Sequence, residues 1–224
     1  TILAGLTRAS LCVRCREHGL PFVERHIHID EVLNGVETAI RGGQSATSTA
    51  GLGASGPVTV SALVALRLSG EESDDLAGIR TLAKPGSLGD AGDIAILAGR
   101  VSVASGAAID SSALSLGRAG TIAVGSPTEV SLAGNDASRP TGISTTVGPA
   151  SAGGGAIGLT AGRIAIASGA AVTTTTQSAA AGGDITVFAG DSLRLAGSAA
   201  NGAAIGSEGR LGAAGQAGAI RLDG

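Results

Sequence analysis

The segment Gly92-Asp-Ile-Ala-Ile-Leu-Ala-Gly-Arg-Val-Ser-Val-Ala-Ser-Gly-Ala-Ala-Ile109 returns 63 residues later as Gly155-Ala-Ile-Gly-Leu-Thr-Ala-Gly-Arg-Ile-Ala-Ile-Ala-Ser-Gly-Ala-Ala-Val172, without a gap. Further along the chain Ile122 recurs as Ile185 at the same offset. Self-similarity at a fixed period of tens of residues is typical of solenoids, in which each repeat packs only against its neighbours. The sequence therefore predicts a tandem array with a 63-residue repeat.

Each repeat contains two similar halves of 28 and 35 residues. Each half holds three short groups of aliphatic residues, which we call pulses. In one half the pulses are Ile94-x-Ile96, Val101-x-Val103 and Ile109, with turns at 98–100 and 105–107. The i, i+2 spacing indicates strands, because alternate side chains of a strand point to opposite faces, and β-branched residues favour strands. We predict an all-β, three-faced parallel β-helix in which one half is one coil, with the intervening Ala, Ser and Thr facing outward.

The composition agrees with a folded repetitive chain and disagrees with other repetitive architectures. The 224 residues include 38 Gly, are 43% hydrophobic and only 15% charged, and contain Phe22 and Phe188 as their only aromatic residues. A collagen helix needs Gly at every third position, and a helical solenoid needs apolar spacing near 3.6 residues. Neither pattern is present. A disordered Gly-rich linker does not explain aliphatic residues that stay in register over 63 positions.

The charge of the chain bears on its partners. The 15 basic and 18 acidic residues give a net charge of −3, so we expect no nucleic acid as a partner. No run of 18 apolar residues is present. Because the sequence starts at Thr1 and has no Met, we interpret it as a piece of a longer polypeptide.

The repeat does not extend over the whole sequence, which divides into two predicted segments. Residues 1–50 are predicted to be an irregular N-terminal segment or early coil, and residues 51–224 a β-helix repeat region that is truncated at its C-terminal end. In the first segment the apolar residues between Ile29 and Ile40 have helical spacing, whereas Asn34-Gly35 is a hairpin signal. We favour an irregular early coil over a capping helix. Residues 44–56 are rich in Ser, Thr, Ala and Gly and are predicted to be a loop.

The repeat region resembles that of filamentous-haemagglutinin-type exoproteins, which bacteria export by two-partner secretion. The resemblance rests on the phrases Ala91-Gly-Asp-Ile-Ala-Ile96, Ala98-Gly-Arg-Val-Ser-Val103, Ser105-Gly-Ala-Ala-Ile109 and Gly182-Gly-Asp-Ile-Thr-Val187. It implies a right-handed parallel β-helix, export through an outer-membrane transporter, and a location outside the cell or on the bacterial surface.

The function expected from this resemblance is that of a non-catalytic structural shaft in a secreted or surface-attached adhesin. Its partners would be the outer-membrane transporter and receptors on host cells or surfaces, glycans among them, and no cofactor is expected. Two alternatives remain. The first is a polysaccharide-active β-helix enzyme, and the second is the stalk of a toxin-delivery exoprotein.

The enzyme alternative requires paired carboxylates, since glycoside hydrolysis uses two of them about 5 to 10 Å apart. The candidates are Asp93, Asp110, Asp184 and Asp191. At the equivalent positions of the neighbouring repeat, 63 residues away, the chain has Ala or Thr. These carboxylates therefore interrupt the repeat at scattered places. A sugar-binding cleft also favours aromatic platforms, and the chain has no Trp or Tyr. We therefore predict solvated surface carboxylates and nominate no catalytic residue.

One cluster in the N-terminal segment has residue types that bind metals. Cys12-x-x-Cys15 is followed by His26-x-His28. Zinc sites need four ligands, and their paired histidines usually lie three to five residues apart, a spacing that His26 and His28 do not have. A zinc site, a disulfide or redox pair, and incidental thiols are the three interpretations, and export would favour oxidation.

Three further motifs match functional patterns by letter. Gly51-Leu-Gly-Ala-Ser-Gly56 has the dinucleotide-binding spacing, but a strand-like segment follows it where that site needs a helix. The acidic run 71–75 lacks the spaced ligands of a calcium loop and is predicted to be a solvated loop between strands. The run Thr173-Thr-Thr-Thr176 does not recur on successive coils, as an ice-binding face would require.

Overall fold

The computed structural model describes residues 37–41, 44–70, 77–134, 140–197, 201–210 and 213–224, all within the compact unit Leu33–Gly224. In these residues every regular element is a β-strand, and every pairing between strands is parallel. The prediction of an all-β, parallel solenoid is therefore confirmed, with about five turns.

The strands form two sheets. The first sheet contains nine strands: β1 (Glu37–Arg41), β3 (Val58–Ala62), β4 (Ala65–Ser69), β6 (Ile94–Ala98), β7 (Arg100–Ala104), β9 (Ile122–Ala133), β11 (Ile157–Ala167), β13 (Ile185–Ala196) and β15 (Ile220–Asp223). The second sheet contains six: β2 (Gln44–Thr49), β5 (Gly78–Ala83), β8 (Ala108–Ala113), β10 (Gly142–Val147), β12 (Ala171–Thr176) and β14 (Ala204–Gly209). The chain passes from the first sheet to the second and back in every turn.

The first two pulses of a coil share one sheet, and in the later coils they share one strand. β9, β11 and β13 each run through both pulses, with a register irregularity between Ala161 and Arg163. In the coil before them the same pulses are the separate strands β6 and β7. The turn predicted at residues 98–100 is thus a bend that later coils replace by continuous strand.

The strand register gives the length of each coil. Ile94 pairs with Ile122, 28 residues on, and Ile122 pairs with Ile157, 35 residues on. Ile157 then pairs with Ile185 and Ile185 with Ile220, at spacings of 28 and 35. The earlier spacing, from Val58 to Ile94, is 36. The 63-residue unit of the whole chain and the right-handed sense of the helix stay predictions.

The corner that leads into the second sheet accounts for most of the difference between the short and the long coils. Short coils cross it in residues 105–107 and 168–170, where Ser105 and Ser168 have φ of 55° and 53° and each is followed by a Gly at φ near 83°. Such left-handed pairs make a tight turn. In the long coils the strands on either side of this corner are further apart in the chain: β4 ends at Ser69 and β5 begins at Gly78, β9 ends at Ala133 and β10 begins at Gly142, and β13 ends at Ala196 and β14 begins at Ala204.

The loop predicted at residues 44–56 needs a correction. Residues 44–49, predicted to be part of a loop, are strand β2, which pairs with β5 over its whole length. β1 likewise pairs with β4, so Ile40 lies in a strand and not in a capping helix. Parallel pairing satisfies the backbone of these Ser- and Thr-rich residues, which overrides their preference for loops. Residues 1–36 lie outside the described part of the chain.

The core is a stack of aliphatic columns, each with one residue per coil. Two of these columns are buried almost completely. The column on the first sheet contains Val60, Ile96, Val124, Leu159 and Val187. The column on the second sheet contains Ile79, Ile109, Ile143 and Val172. Because every residue in a column packs on the coil before and the coil after, removal of these side chains from water stabilises the stack and not the single coil.

Candidate functional site

The interior of the second sheet carries a polar column beside its aliphatic one. Two residues after each aliphatic position lies a Ser or Thr whose side chain points inward: Thr81, Ser111, Thr145, Thr174 and Ser207. The first four are almost completely buried. We call these five residues the hydroxyl ladder. Residues between paired aliphatic positions, such as Thr59 and Ala95, are exposed, as predicted, but the sequence predicts no inward side chain for the Ser and Thr that follow the third pulse.

The hydroxyl ladder is bonded to the glycines that precede the first sheet. The Thr145 hydroxyl donates to the carbonyl oxygen of Gly155 at 2.9 Å, and Ser111 Oγ accepts the Gly120 N–H at 2.9 Å. The same two kinds of bond, 2.6–2.7 Å long, recur in the other coils at Thr81 with Gly92, Thr174 with Gly183 and Ser207 with Gly218. Buried hydroxyls and carbonyls are thereby paired, which avoids the cost of leaving them without partners.

The glycines at these positions form a column of their own, with one member on each coil. An added Cβ at Gly155 would lie 1.9 Å from the carbonyl oxygen of Gly120, and one at Gly183 would lie 1.8 Å from that of Gly155. No real side chain fits at such distances from backbone. The glycine column comprises Gly56, Gly92, Gly120, Gly155, Gly183 and Gly218.

Replacing Thr145 by Val is expected to lower the free energy of unfolding by about 1–3 kcal/mol, because the Gly155 carbonyl loses a buried donor while the side chain keeps its shape. Unfolding in urea is followed by far-ultraviolet circular dichroism, since the chain has no Trp or Tyr. The matched control is Thr146→Val on the outward face of the same strand, where a change within about 0.5 kcal/mol is expected. Equal losses in the two variants would contradict the role of the ladder.

Two of the candidate catalytic carboxylates hold neighbouring coils together. Asp93 Oδ1 accepts the Thr121 N–H and Asp184 Oδ1 accepts the Ala219 N–H, both at 2.7 Å. The two carboxylates occupy equivalent positions three coils apart, which places them about 14 Å from each other at roughly 4.8 Å per strand. That separation exceeds the distance at which two carboxylates share a glycosidic bond.

Asp110 is also bonded within the fold. It lies on β8 and is only 7% exposed. Arg80 Nε on β5 lies 3.2 Å from its carboxylate, and the hydroxyls of Ser112 and Ser144 donate to it at 2.9–3.0 Å. The carboxylate therefore links three adjacent strands of the second sheet. The prediction that it is a solvated surface group is wrong, and its bonds within the fold leave it no freedom to act on a substrate.

Asp191, the fourth candidate, lies in a different environment. It is exposed on β13 and lines a shallow hollow together with Ser192, Leu193, Leu222 and Asp223. Arg221 Nε lies 2.6 Å from the Asp223 carboxylate. The structure thus does not bring Asp93, Asp110, Asp184 and Asp191 together, and it places Asp191 near a carboxylate that the sequence analysis did not nominate.

The other sequence motifs have the following positions. Cys12, Cys15, His26 and His28 lie outside the described residues, as does the whole acidic run 71–75. Gly51–Gly56 is followed by strand β3, which confirms the strand predicted there in place of the helix that a dinucleotide site needs. Thr173–Thr176 lies in β12 with Thr174 and Thr176 buried inward, so it does not form a surface of hydroxyls.

The described part of the chain offers neither a metal site nor a membrane-spanning helix. It contains no group of three or more His, Cys, Asp or Glu side chains able to hold a metal ion. Nor does it contain a helix of the length and hydrophobicity that crossing a membrane demands. Comparison with protein-family models, with curated proteins and with solved structures gives no match.

Proposed function

We propose that the chain is the structural shaft of a secreted or surface-attached bacterial adhesin of the filamentous-haemagglutinin-like kind. The observation that carries the proposal is the bonding of every coil to the next. Aliphatic columns, the hydroxyl ladder and the glycine column run through successive coils, and three of the four candidate carboxylates are used in bonds between coils.

A shaft gains from such an arrangement because its stability comes from neighbouring coils. In a solenoid the free energy of folding is approximately a sum over coils and their interfaces. Length can therefore increase without a new core, and a binding region is held away from the surface that carries the shaft. In this proposal the outer-membrane transporter exports the chain, and receptors on host cells or surfaces, including glycans, are its targets.

The location of the protein tests this proposal. With an antibody raised to residues 84–210, we expect a large band in surface washes or culture medium of the source organism, and loss of the cell-bound signal when intact cells are treated with protease. A cytosolic marker protein that stays intact is the control for lysis. A band near 21 kDa confined to the cytosol would overturn the proposal.

The alternative of a polysaccharide-active enzyme rests on a narrower observation. Asp191 and Asp223 line the same hollow, which makes them the carboxylates to examine. Turnover of a bacterial or host polysaccharide by the purified chain, abolished by Asp191→Asn, would favour the enzyme over the shaft. Asp184→Asn is the comparison, because that carboxylate is bonded to the next coil.

A further inference from the structure

Three leucines form an exposed ridge on successive coils. Leu52, Leu88 and Leu116 are 80%, 51% and 55% exposed. The Leu88 N–H donates to the Gly51 carbonyl at 3.0 Å, which places Leu88 directly above Leu52. The glycines that follow these leucines are stacked as well, since an added Cβ at Gly117 would lie 2.2 Å from the Gly89 carbonyl oxygen. We call Leu52, Leu88 and Leu116 the leucine ridge.

The leucine ridge lies on the corner where the chain leaves the second sheet for the first. At roughly 4.8 Å per coil its three members span about 10 Å, and Leu114, 42% exposed, widens it. The sequence carries the same signal as a Leu-Gly dipeptide at 52–53, 88–89 and 116–117. Isolated exposed leucines need no explanation, but a contiguous apolar strip on a soluble surface marks a contact with a partner.

Opposite charges flank the leucine ridge on its middle coil. Lys84 precedes Leu88 by four residues and lies at the end of β5, on the side of the second sheet. Asp90 follows Leu88 by two residues on the side of the first sheet, where its carboxylate accepts the Arg118 N–H at 2.7 Å. Both side chains are exposed. At the height of Leu88 the ridge thus has Lys84 on one edge and Asp90 on the other, and the exposed Arg118 lies one coil further along on the edge of Asp90.

We propose that the leucine ridge is a self-association surface through which two copies of the chain lie side by side with their coils running in the same direction. A two-fold axis parallel to the solenoid axis places Leu88 of one copy against Leu88 of the other. It also places Lys84 of each copy opposite Asp90 of the other, on both edges of the contact. An antiparallel arrangement instead sets Lys84 against Lys84 and Asp90 against Asp90, so the charges select the parallel dimer.

This inference is independent of the adhesin proposal, because it concerns the surface of the coils and not their location. The ridge is small for an interface, so the dimer is expected to be weak and to depend on protein concentration. Sedimentation velocity over a range of concentrations should show monomer giving way to dimer. Leu88→Glu is expected to weaken association at least about tenfold, since it buries a charge at the centre of the contact.

The matched control is Leu97→Glu, the same change at a leucine that is 62% exposed on the outer face of the first sheet. It should leave association unchanged. Lys84→Glu should weaken the dimer, and Lys84→Glu combined with Asp90→Lys should restore it, with circular dichroism confirming the fold of each variant. A chain that stays monomeric at all concentrations, or a dimer unaffected by Leu88→Glu, would overturn the proposal.

Disulfide crosslinking distinguishes the two directions. In a chain whose own cysteines are replaced (Cys12→Ser, Cys15→Ser), Leu52→Cys and Leu116→Cys proteins are mixed and oxidised. The parallel dimer predicts that each variant crosslinks to itself. Crosslinks between residue 52 of one copy and residue 116 of the other would show the antiparallel dimer and refute the proposed arrangement. Leu97→Cys measures the background of random collisions.

Discussion

Gly155→Ala is expected to abolish the stacking of the central coils. The new Cβ would lie 1.9 Å from the Gly120 carbonyl oxygen and 2.9 Å from that of Ala119, and both atoms belong to the backbone of the preceding coil. Backbone atoms cannot rotate away as a long side chain can, so the two coils must separate. We expect a loss of at least about 4 kcal/mol in the free energy of unfolding, out of a typical 5–15 kcal/mol.

Circular dichroism during urea unfolding measures this loss, and the shape of the transition adds information. If the two halves of the solenoid part at Gly155, unfolding should occur in two steps, because each half retains only its own coil interfaces. If Gly155→Ala is expressed only in insoluble form and gives no β-sheet signal in circular dichroism, the loss of stability is large enough to prevent folding.

Gly158→Ala is the control for this prediction. Gly158 lies three residues further along, in β11, and an added Cβ there would meet nothing within 4 Å. Alanine also restricts the unfolded chain more than glycine does, so this variant should be as stable as the original or more stable by up to about 1 kcal/mol. If both variants lose the same stability, the close approach of Gly155 to Gly120 is not the reason for the glycine column.

The sequence was sufficient to predict the strands that carry paired aliphatic residues. Ile94-x-Ile96 became β6 and Val101-x-Val103 became β7, because i, i+2 burial leaves a pattern that no other element produces. The parallel pairing followed from the repeat, since equivalent residues of successive coils have to lie above one another. The boundary between the two pulses was less predictable, because the bend depends on local register.

The hydroxyl ladder and the glycine column could not be predicted in the same way. A Thr in a strand is compatible with either face of the sheet. The face is decided by its hydrogen-bond partner, which for Thr145 is the Gly155 carbonyl. Gly155 and Gly158 lie within two residues of Ile157, yet one touches the preceding coil and the other faces open space. That difference depends on contacts between residues about 30 positions apart, which the order of the residues does not reveal.

The candidate carboxylates show the same limit at the level of function. Asp93 looks like any surface carboxylate in the sequence, because its partner, the Thr121 N–H, lies 28 residues further along. Once the coils are stacked, that bond makes Asp93 part of the scaffold. A residue that interrupts a repeat can thus serve the contact between two particular coils, and irregularity alone does not indicate catalysis.

Leu159→Ala is expected to lower the free energy of unfolding by about 2–5 kcal/mol. Leu159 is 1% exposed and lies in β11, between β9 and β13 on the first sheet. Its removal leaves a cavity that touches the coil before and the coil after, so two interfaces lose contacts. The interior of a solenoid cannot collapse around such a gap without breaking the strand register on both sides, which favours the upper part of this range.

Leu97→Ala makes the same chemical change on the outer face of the first sheet, where the leucine is 62% exposed. Little apolar surface returns to water and no cavity forms, so a change within about 0.5 kcal/mol is expected. Urea unfolding of both variants by circular dichroism measures the difference. A similar loss at both positions would mean that the inward column does not carry the stability of the solenoid, because the two substitutions remove the same atoms and differ only in burial.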